Sequence, residues 1–248
     1  MIDKQDMLFG LRPIMEAIRS GREMDKILIK KGLSGELYHE LMTLIREAGI
    51  PFQVVPIEKL NRVTRKNHQG VLGFVSLISY SPFDEIIQRV FEDGESPLIM
   101  ILDGITDVRN FGAIARSAEV AGVHALVIPE KGGAMINADA VKTSAGALLN
   151  IPVCRVKSLG NAAKELQKSG LKVVGATEKA GKLYYETEMS GPLAIVLGSE
   201  DEGISVDLLR ICDELVKIPQ HGQIESLNVS AAAAVLAFEA EKQRYQAN

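Results

Sequence analysis

The chain has 248 residues, of which 46% are hydrophobic and 24% are charged, a composition typical of a globular protein with a substantial core. It contains no apolar run of about 18 residues, so no membrane span is predicted, and its net charge of −4 argues against indiscriminate binding to nucleic acid. The polar start over residues 1–6 is unlike a signal peptide, and the two cysteines, Cys154 and Cys212, lack metal-ligand spacing. These features favour a cytoplasmic protein with reduced thiols and no metal site.

Residues 1–78 are predicted to form a small α/β domain. The pattern predicts alternating elements: in chain order, a helix over 10–19, a strand over 26–30, a helix over 36–48, a strand over 52–55 and a helix over 57–63. This domain carries 12 lysines and arginines against 9 acidic residues, a balance of +3, whereas the rest of the chain carries 16 against 23, a balance of −7. The basic charge is therefore concentrated on the amino-terminal side.

A basic loop over 64–70 leads into the last strand of this domain, predicted over 71–75. Its polar side chains include Arg65, Lys66, Asn67 and Gln69. Side chains of this kind suit contacts to phosphates and exposed bases, and a solvated surface loop is the alternative interpretation.

Turn residues on both sides of a short helix, over 84–92, predict a linker at residues 79–96. Residues 97–248 then predict a second α/β domain, a mostly parallel sheet covered by helices on both faces. Its predicted strands lie at 98–102, 124–128, 152–156, 172–176, 193–197 and 214–218.

A first motif follows the strand at 98–102. The sequence predicts a polar loop over 103–110 and then a helix rich in small residues. Asn110 ends the loop, and Arg116 is the one basic residue between Phe111 and Ala118. A lone arginine on a helix is usually solvated or paired, but this apolar setting favours a buried or cleft-facing position.

A second motif follows the strand at 193–197, where Gly198 and Gly203 enclose a loop with three carboxylates, including Glu200. The loop could simply be an acidic helix start, since carboxylates are favourable at a helix N-terminus, with glycines that supply unusual backbone angles.

A third motif extends from Ile218 to Ser230. After a strand, a polar loop is expected to enter a helix whose first residues are Ser226, Leu227 and Asn228. The start of a helix leaves backbone N–H groups free to face a ligand, and the alanines that follow allow close packing. An ordinary capped core helix is the alternative interpretation.

In this order the three motifs resemble those of the SpoU (TrmH-like) branch of the SPOUT RNA methyltransferases. The pattern reads N-x-G-A-I-x-R, then G-S-E-x-x-G after a strand, then I-P-x-x-G-x-x-E-S-L-N-V-S-x-A, within residues 97–243. The resemblance implies S-adenosylmethionine as the cofactor and methyl transfer to a ribose 2′-hydroxyl of RNA. It also implies a trefoil knot in the C-terminal domain and a homodimer formed through that domain.

The resemblance assigns roles to individual residues. It implies that Gly198, Ile218 and Leu227 hold the cofactor. Arg116 would activate the hydroxyl, either as a base or by binding the neighbouring phosphate. The full catalytic set implied by the family comprises Asn110, Arg116, Glu200, Ser226 and Asn228.

The first domain resembles the ribosomal-protein-L30-like substrate-binding domain of many SpoU enzymes, with His68-Gln69-Gly70-Val71 as the nearest match. This resemblance implies RNA contacts from Arg65, Lys66, Asn67 and Gln69. It favours a guanosine of 23S rRNA as the target. The alternatives are a tRNA ribose methyltransferase and a non-catalytic RNA-binding or ribosome-assembly protein on the same fold.

Overall fold

The computed structural model describes residues 7–223 and 226–247. In this part the chain forms two compact units. One runs to Ser79 and includes Ile136–Ala138, and the other comprises Tyr80–Met135 and continues from Asp139. The polar start at 1–6, and residues 224 and 225 of the third motif, lie outside the described residues. Within the described ranges, the helices are too short or too polar to cross a bilayer.

The first unit is a four-stranded sheet with three helices. Its strands are β1 (Met7–Phe9), β2 (Met24–Lys30), β3 (Phe52–Val55) and β4 (Val71–Val75), and its helices are α1 (Leu11–Arg19), α2 (Glu36–Glu47) and α3 (Ile57–Val63). The strand order is β1-β4-β2-β3. The core includes Ile14, Ile27 and Leu41, all fully buried. The strand that the pattern does not predict is β1, which is too short to show any alternation.

The second unit contains a seven-stranded sheet of order β7-β6-β5-β10-β8-β11-β9, in which every neighbouring pair is parallel. The prediction of a mostly parallel sheet flanked by helices is confirmed. The strands are β5 (Leu98–Leu102), β6 (Ala125–Pro129), β7 (Val153–Val156), β8 (Lys172–Ala176), β9 (Lys182–Leu183), β10 (Leu193–Leu197) and β11 (Glu214–Lys217). The helices are α4 (Phe83–Glu92), α5 (Val108–Val120), α6 (Ala138–Thr143), α7 (Leu159–Lys168), α8 (Val206–Leu209) and α9 (Val229–Ala247).

Central strands β5 and β10 are buried at every position, which explains their uninterrupted apolar sequences. Because all strands run in the same direction, the loops that follow β5, β8, β10 and β11 emerge at one edge of the sheet. Ligands of open parallel sheets bind outside these carboxyl ends. The fold therefore brings all three sequence motifs to the same edge.

Residues 80–96, expected to form a linker, belong to the second unit. Tyr80 pairs with Val153 beside β7. Helix α4 places Ile86, Ile87 and Val90 in the same core as the sheet. The apolar face of this helix is thus packed against the second unit. The turn residues on either side of the helix instead suggest a linker between two domains.

The final helix, α9, packs against α5 through small residues, and Ala233, Ala237 and Ala240 are fully buried. Near its end, Arg244 donates from Nη1 to the carbonyl of Ser96 (2.7 Å) and from Nη2 to the carbonyls of Pro97 (2.9 Å) and Gly191 (3.0 Å). These carbonyls lie just before β5 and β10. Arg244 therefore ties the last turns of the chain to the start of the two central strands.

Both cysteines are free. Burial raises the pKa of Cys154, on β7, to about 12, and the nearby Asp84 carboxylate adds to the effect. Burial likewise raises the pKa of Cys212 to about 11. Because the thiolate is the reactive form, both side chains act as inert packing groups at neutral pH.

Candidate active site

A cleft of about 320 Å³ opens at the carboxyl edge of the second unit's sheet, in the size range of small-molecule sites. Its walls come from the loops after β8, β10 and β11 and from the start of α9. All three residues expected to hold a cofactor, Gly198, Ile218 and Leu227, line this cleft, together with Glu200 and Ser226. Five of the eight residues assigned to the cofactor and the catalytic set thus surround one cavity.

The loop after β10 is closed on itself. The N–H of Ser199 donates to the carbonyl of Gly203 (3.2 Å), and the N–H of Gly203 donates to the carbonyl of Ser199 (2.9 Å). A Cβ on Gly198 would lie 2.0 Å from the carbonyl carbon of Gly203 and 2.1 Å from the nitrogen of Ile204. Gly198 is therefore required because two backbone segments of the loop approach each other there.

A hydrogen-bonded group of polar side chains joins the three motifs. The Nδ2 of Asn228 donates to Oε1 of Glu200 (2.5 Å) and to Oδ1 of Asn110 (3.1 Å). The N–H of Val229 also points to Oε1 of Glu200 (3.4 Å). Residues from β5–α5, β10–α8 and β11–α9 therefore meet at one point beside the cleft.

Helix α5 begins two residues before Asn110, so the expected loop over 103–110 is too long. Asp107 accounts for the difference because its carboxylate accepts hydrogen bonds from the N–H groups of Arg109 and Asn110 (2.8 Å each). Such an N-cap satisfies the unpaired donors of the first turn. Asn110 is consequently held on a helix, which orients it better than a loop would.

Helix α9 begins at Val229, three residues later than expected, so Ser226, Leu227 and Asn228 precede it. Asn228 caps the helix: its carbonyl accepts the N–H of Ala232 (3.0 Å), and its side-chain Oδ1 accepts the N–H of Ser230 (3.0 Å). The residue that enters the polar group is therefore also the one that starts the helix.

Arg116 does not enter the cleft, and its side chain is exposed. The expectation of a buried or cleft-facing arginine is wrong for the single chain, although Ala115 and Ala118 beside it are fully buried. Arg116 lies six residues after Asn110, about 9 Å along the helix and about 240° around it. The two side chains leave α5 on different faces, so one chain does not bring them together.

The lining combines apolar and acidic groups. Leu197, Val216, Ile218 and Leu227 provide apolar surface, and Glu178, Glu200, Asp201 and Glu202 provide carboxylates. Such a cleft suits a ligand with a flat apolar part and a positively charged part. The motifs do not point to Glu178 and Lys179, and the only signal for them is their place directly after β8.

The loop over 64–70 in the first unit exposes Arg65, Lys66, Asn67 and Gln69. His68 between them is buried and braces the loop. Its Nδ1 accepts the N–H of Gly70 (3.0 Å), so Nε2 carries the proton and donates to Oδ1 of Asn61 (3.0 Å). Lys66 also lies over the ring of Phe9, 5.0 Å from its centroid. The loop is thus a fixed scaffold that presents polar side chains.

Comparisons with known proteins show which family this chain is similar to. Residues 97–238 match the model of the SpoU rRNA Methylase family, and residues 7–81 match the model for RNA 2′-O ribose methyltransferase substrate binding. YacO of Bacillus subtilis, provisionally named a TrmH family tRNA/rRNA methyltransferase, is 32% identical over 244 residues, 98% of each chain.

Two solved structures are also similar. The SpoU methyltransferase AviRb from Streptomyces viridochromogenes, in complex with the cofactor AdoMet, has a TM-score of 0.62 and 26% identity over 97% of this chain and 90% of that one. The A. aeolicus TrmH/SpoU tRNA modifying enzyme has a TM-score of 0.57 and 26% identity, over 66% of this chain and 85% of that one.

Proposed function

This chain belongs to the SpoU family of S-adenosylmethionine-dependent RNA methyltransferases, and from that premise we propose that it methylates the ribose 2′-hydroxyl of a guanosine in 23S rRNA. The observation that carries the proposal is the meeting of three motif loops beside one cleft, with Asn228 bonded to both Glu200 and Asn110. The proposed target also rests on the match of residues 7–81 to a substrate-binding model for 2′-O ribose methyltransferases.

The residues of the cleft fit S-adenosylmethionine, which supplies an activated methyl group when bound. Ile218 and Leu227 offer apolar surface for the adenine, and the loop that follows Gly198 offers backbone groups. The carboxylates around the opening favour the positive charge of the cofactor. Ser226 lies in the same lining, and we assign it to the boundary between cofactor and RNA.

The chain's own part in the chemistry is to hold the ribose and ease the loss of its proton. Asn228 is oriented by Glu200, and Asn110 is oriented by Asn228, so both amides are fixed before RNA binds. Such preorganised groups lower the barrier by positioning the reactants. Arg116 would bind the adjacent phosphate and lower the pKa of the hydroxyl electrostatically, because a guanidinium is a poor base.

We further propose that Arg116 serves the site of a second subunit. Its exposure, and its position on a face of α5 that Asn110 does not share, support this arrangement. In a homodimer formed through the second unit, α5 would place Arg116 beside the partner's cleft. The trefoil knot belongs to the same proposal: the segment before α9 runs beside the loop after β10, as the bond between Val229 and Glu200 indicates.

Two classes of RNA are candidate substrates, rRNA and tRNA. A tRNA target is the second candidate, because the name of YacO covers both tRNA and rRNA. An rRNA target is favoured by the first unit, since the tRNA modifying enzyme of A. aeolicus matches only 66% of this chain. The unmatched third is roughly as long as the segment that fits the substrate-binding model.

Mapping 2′-O-methylation in rRNA and tRNA from cells with and without the gene tests this proposal. We expect one guanosine of 23S rRNA to lose its methyl group in the deletion strain and to regain it when the purified protein and S-adenosylmethionine are added to the rRNA. A lost tRNA mark would favour the tRNA candidate instead. If no ribose methylation changes in either RNA, the proposed reaction is wrong.

Replacing both Arg65 and Lys66 with alanine should weaken RNA binding at least tenfold. Both side chains are exposed on the braced loop, and each phosphate contact removed lowers the slope of log K against log salt by about one. Binding measured at several salt concentrations gives both quantities. S-adenosylmethionine affinity should not change.

The matched control for this pair is the double replacement of Arg22 and Arg46 with alanine. Both are exposed cations of the first unit. Arg22 precedes β2, whereas the loop pairs with the other end of that strand, where the N–H of Lys30 bonds to the carbonyl of Gly70 (2.7 Å). Equal losses from the two double variants would mean that this loop is not the RNA contact.

A further inference from the structure

Ser230, the second residue of α9, is bonded to the polar group beside the cleft. Its hydroxyl donates to Oδ1 of Asn228 (2.5 Å), and its N–H donates to the same oxygen (3.0 Å). Both donors act on one side of the Asn228 amide. The oxygen of that amide is therefore directed toward the helix and its nitrogen toward Glu200.

This orientation fixes the direction of every bond in the group. The two Nδ2 hydrogens of Asn228 are used once each, toward Oε1 of Glu200 and Oδ1 of Asn110. Asn110 therefore uses its side-chain oxygen as the acceptor for Asn228. Its Nδ2 has no acceptor among residues 7–223 and 226–247, so both of its hydrogens are left to donate.

We propose that Ser230 is a positioning residue for methyl transfer: it sets the direction of the chain Ser230–Asn228–Asn110, so that Asn110 presents N–H donors to an oxygen of the RNA, either the ribose 2′-oxygen or its phosphate. The inference rests on the proposed function and deepens it. Asn110 acts as a donor in this scheme and does not accept the proton of the hydroxyl.

The role of Ser230 is distinct from helix stabilisation. Alanine at this position keeps the backbone N–H and has high helix propensity, so the helix should persist. Losing the hydroxyl removes one of the two hydrogen bonds to Oδ1 of Asn228 and leaves the backbone N–H of Ser230 as the other donor to that oxygen. The loss of a hydrogen bond of this kind corresponds to about a tenfold change in the turnover rate when the bond positions a reacting group.

The test measures turnover, S-adenosylmethionine affinity and thermal stability for Ser230→Ala and Ser230→Thr. We expect about tenfold lower turnover for alanine, recovery for threonine, which keeps the hydroxyl, and unchanged cofactor affinity in both. Ser158→Ala, which removes the capping hydroxyl of α7 (3.2 Å from the N–H of Asn161), is the matched control and should keep full turnover.

A double-mutant cycle separates positioning from a structural role. In an Asn110→Ala background, Ser230→Ala should cost little more, because both changes break the same chain. Losses that multiply, or unchanged turnover in Ser230→Ala alone, would overturn the inference.

A readout without RNA keeps this inference separate from the proposed function. The side-chain amide NMR signals of Asn228 and Asn110 should both shift in Ser230→Ala and return in Ser230→Thr. If the wild-type protein methylates no RNA, the proposed function fails, while these signals still decide whether the chain exists. An unmoved Asn110 signal would refute it.

Discussion

Arg116→Ala should reduce methyl transfer by two or more orders of magnitude while leaving S-adenosylmethionine binding nearly intact. The physical reason is that the guanidinium is assigned to the phosphate and the hydroxyl of the RNA, and it lies outside the cofactor cleft. Loss of one preorganised charged donor from a reaction site has an effect of about this size. Single-turnover kinetics and calorimetric titration provide the two measurements.

Two controls sharpen this result. Arg116→Lys should restore only part of the rate, since a point charge replaces a planar fork of donors. Arg89→Ala, which removes an exposed arginine on α4, should leave the rate unchanged. Near-normal turnover of Arg116→Ala on the identified RNA would contradict the assigned role.

Subunit mixing then tests whether Arg116 acts across a dimer. Arg116→Ala and Asn228→Ala subunits, each inactive alone, should regain about a quarter of wild-type activity when mixed equally, because half of the dimers are mixed and each has one intact composite site. No recovery after verified exchange would place Arg116 and Asn228 in the site of the same chain.

Gly198→Val should abolish measurable S-adenosylmethionine binding. Any Cβ here would lie 2.0 Å from the carbonyl carbon of Gly203, a distance at which the backbone must move, so the loop that lines the cleft cannot keep its closed form. The loss of binding would therefore come from a changed loop shape. Motif matching alone would instead suggest that the new side chain blocks the ligand directly. Calorimetric titration would detect the loss.

The matched control is Gly181→Ala, in the neighbouring loop after β8. A Cβ at Gly181 has open space around it, so affinity should remain at the wild-type value. Thermal unfolding of each variant shows whether the second unit is still folded. Wild-type affinity in a folded Gly198→Val protein would remove the cofactor from this cleft.

The sequence predicts six of the seven strands of the second unit, and the two central strands β5 and β10 are apolar runs buried at every position. The strand that it misses is β9, whose two residues are too few to show a pattern. The sequence also misplaces the starts of α5 and α9, where the deciding groups are the side chains of Asp107 and Asn228. The periodicity of apolar residues does not report on capping side chains, so the first and last residues of a helix are predicted least reliably. The family pattern identifies Asn110, Glu200 and Asn228 as members of one site.

The bonds among these residues could not be predicted from the sequence. Asn228 and Asn110 are separated by 118 positions, and only the folded sheet brings the loops together. The exposure of Arg116 could not be predicted from the sequence either. Its apolar neighbours face the core from one side of the helix, whereas Arg116 itself points away from the core. Sequence alone also gives no signal that α4 packs into the second unit.

The bonds made by Arg244 have a consequence for the order in which contacts of the second unit can form. A contact between residues far apart in the sequence requires the closure of a long loop, which makes it slow to form. Arg244 is separated from Ser96 by 148 positions and from Gly191 by 53. The carbonyls that precede the two central strands therefore gain their donor through long-range contacts and not from their neighbours in the sequence.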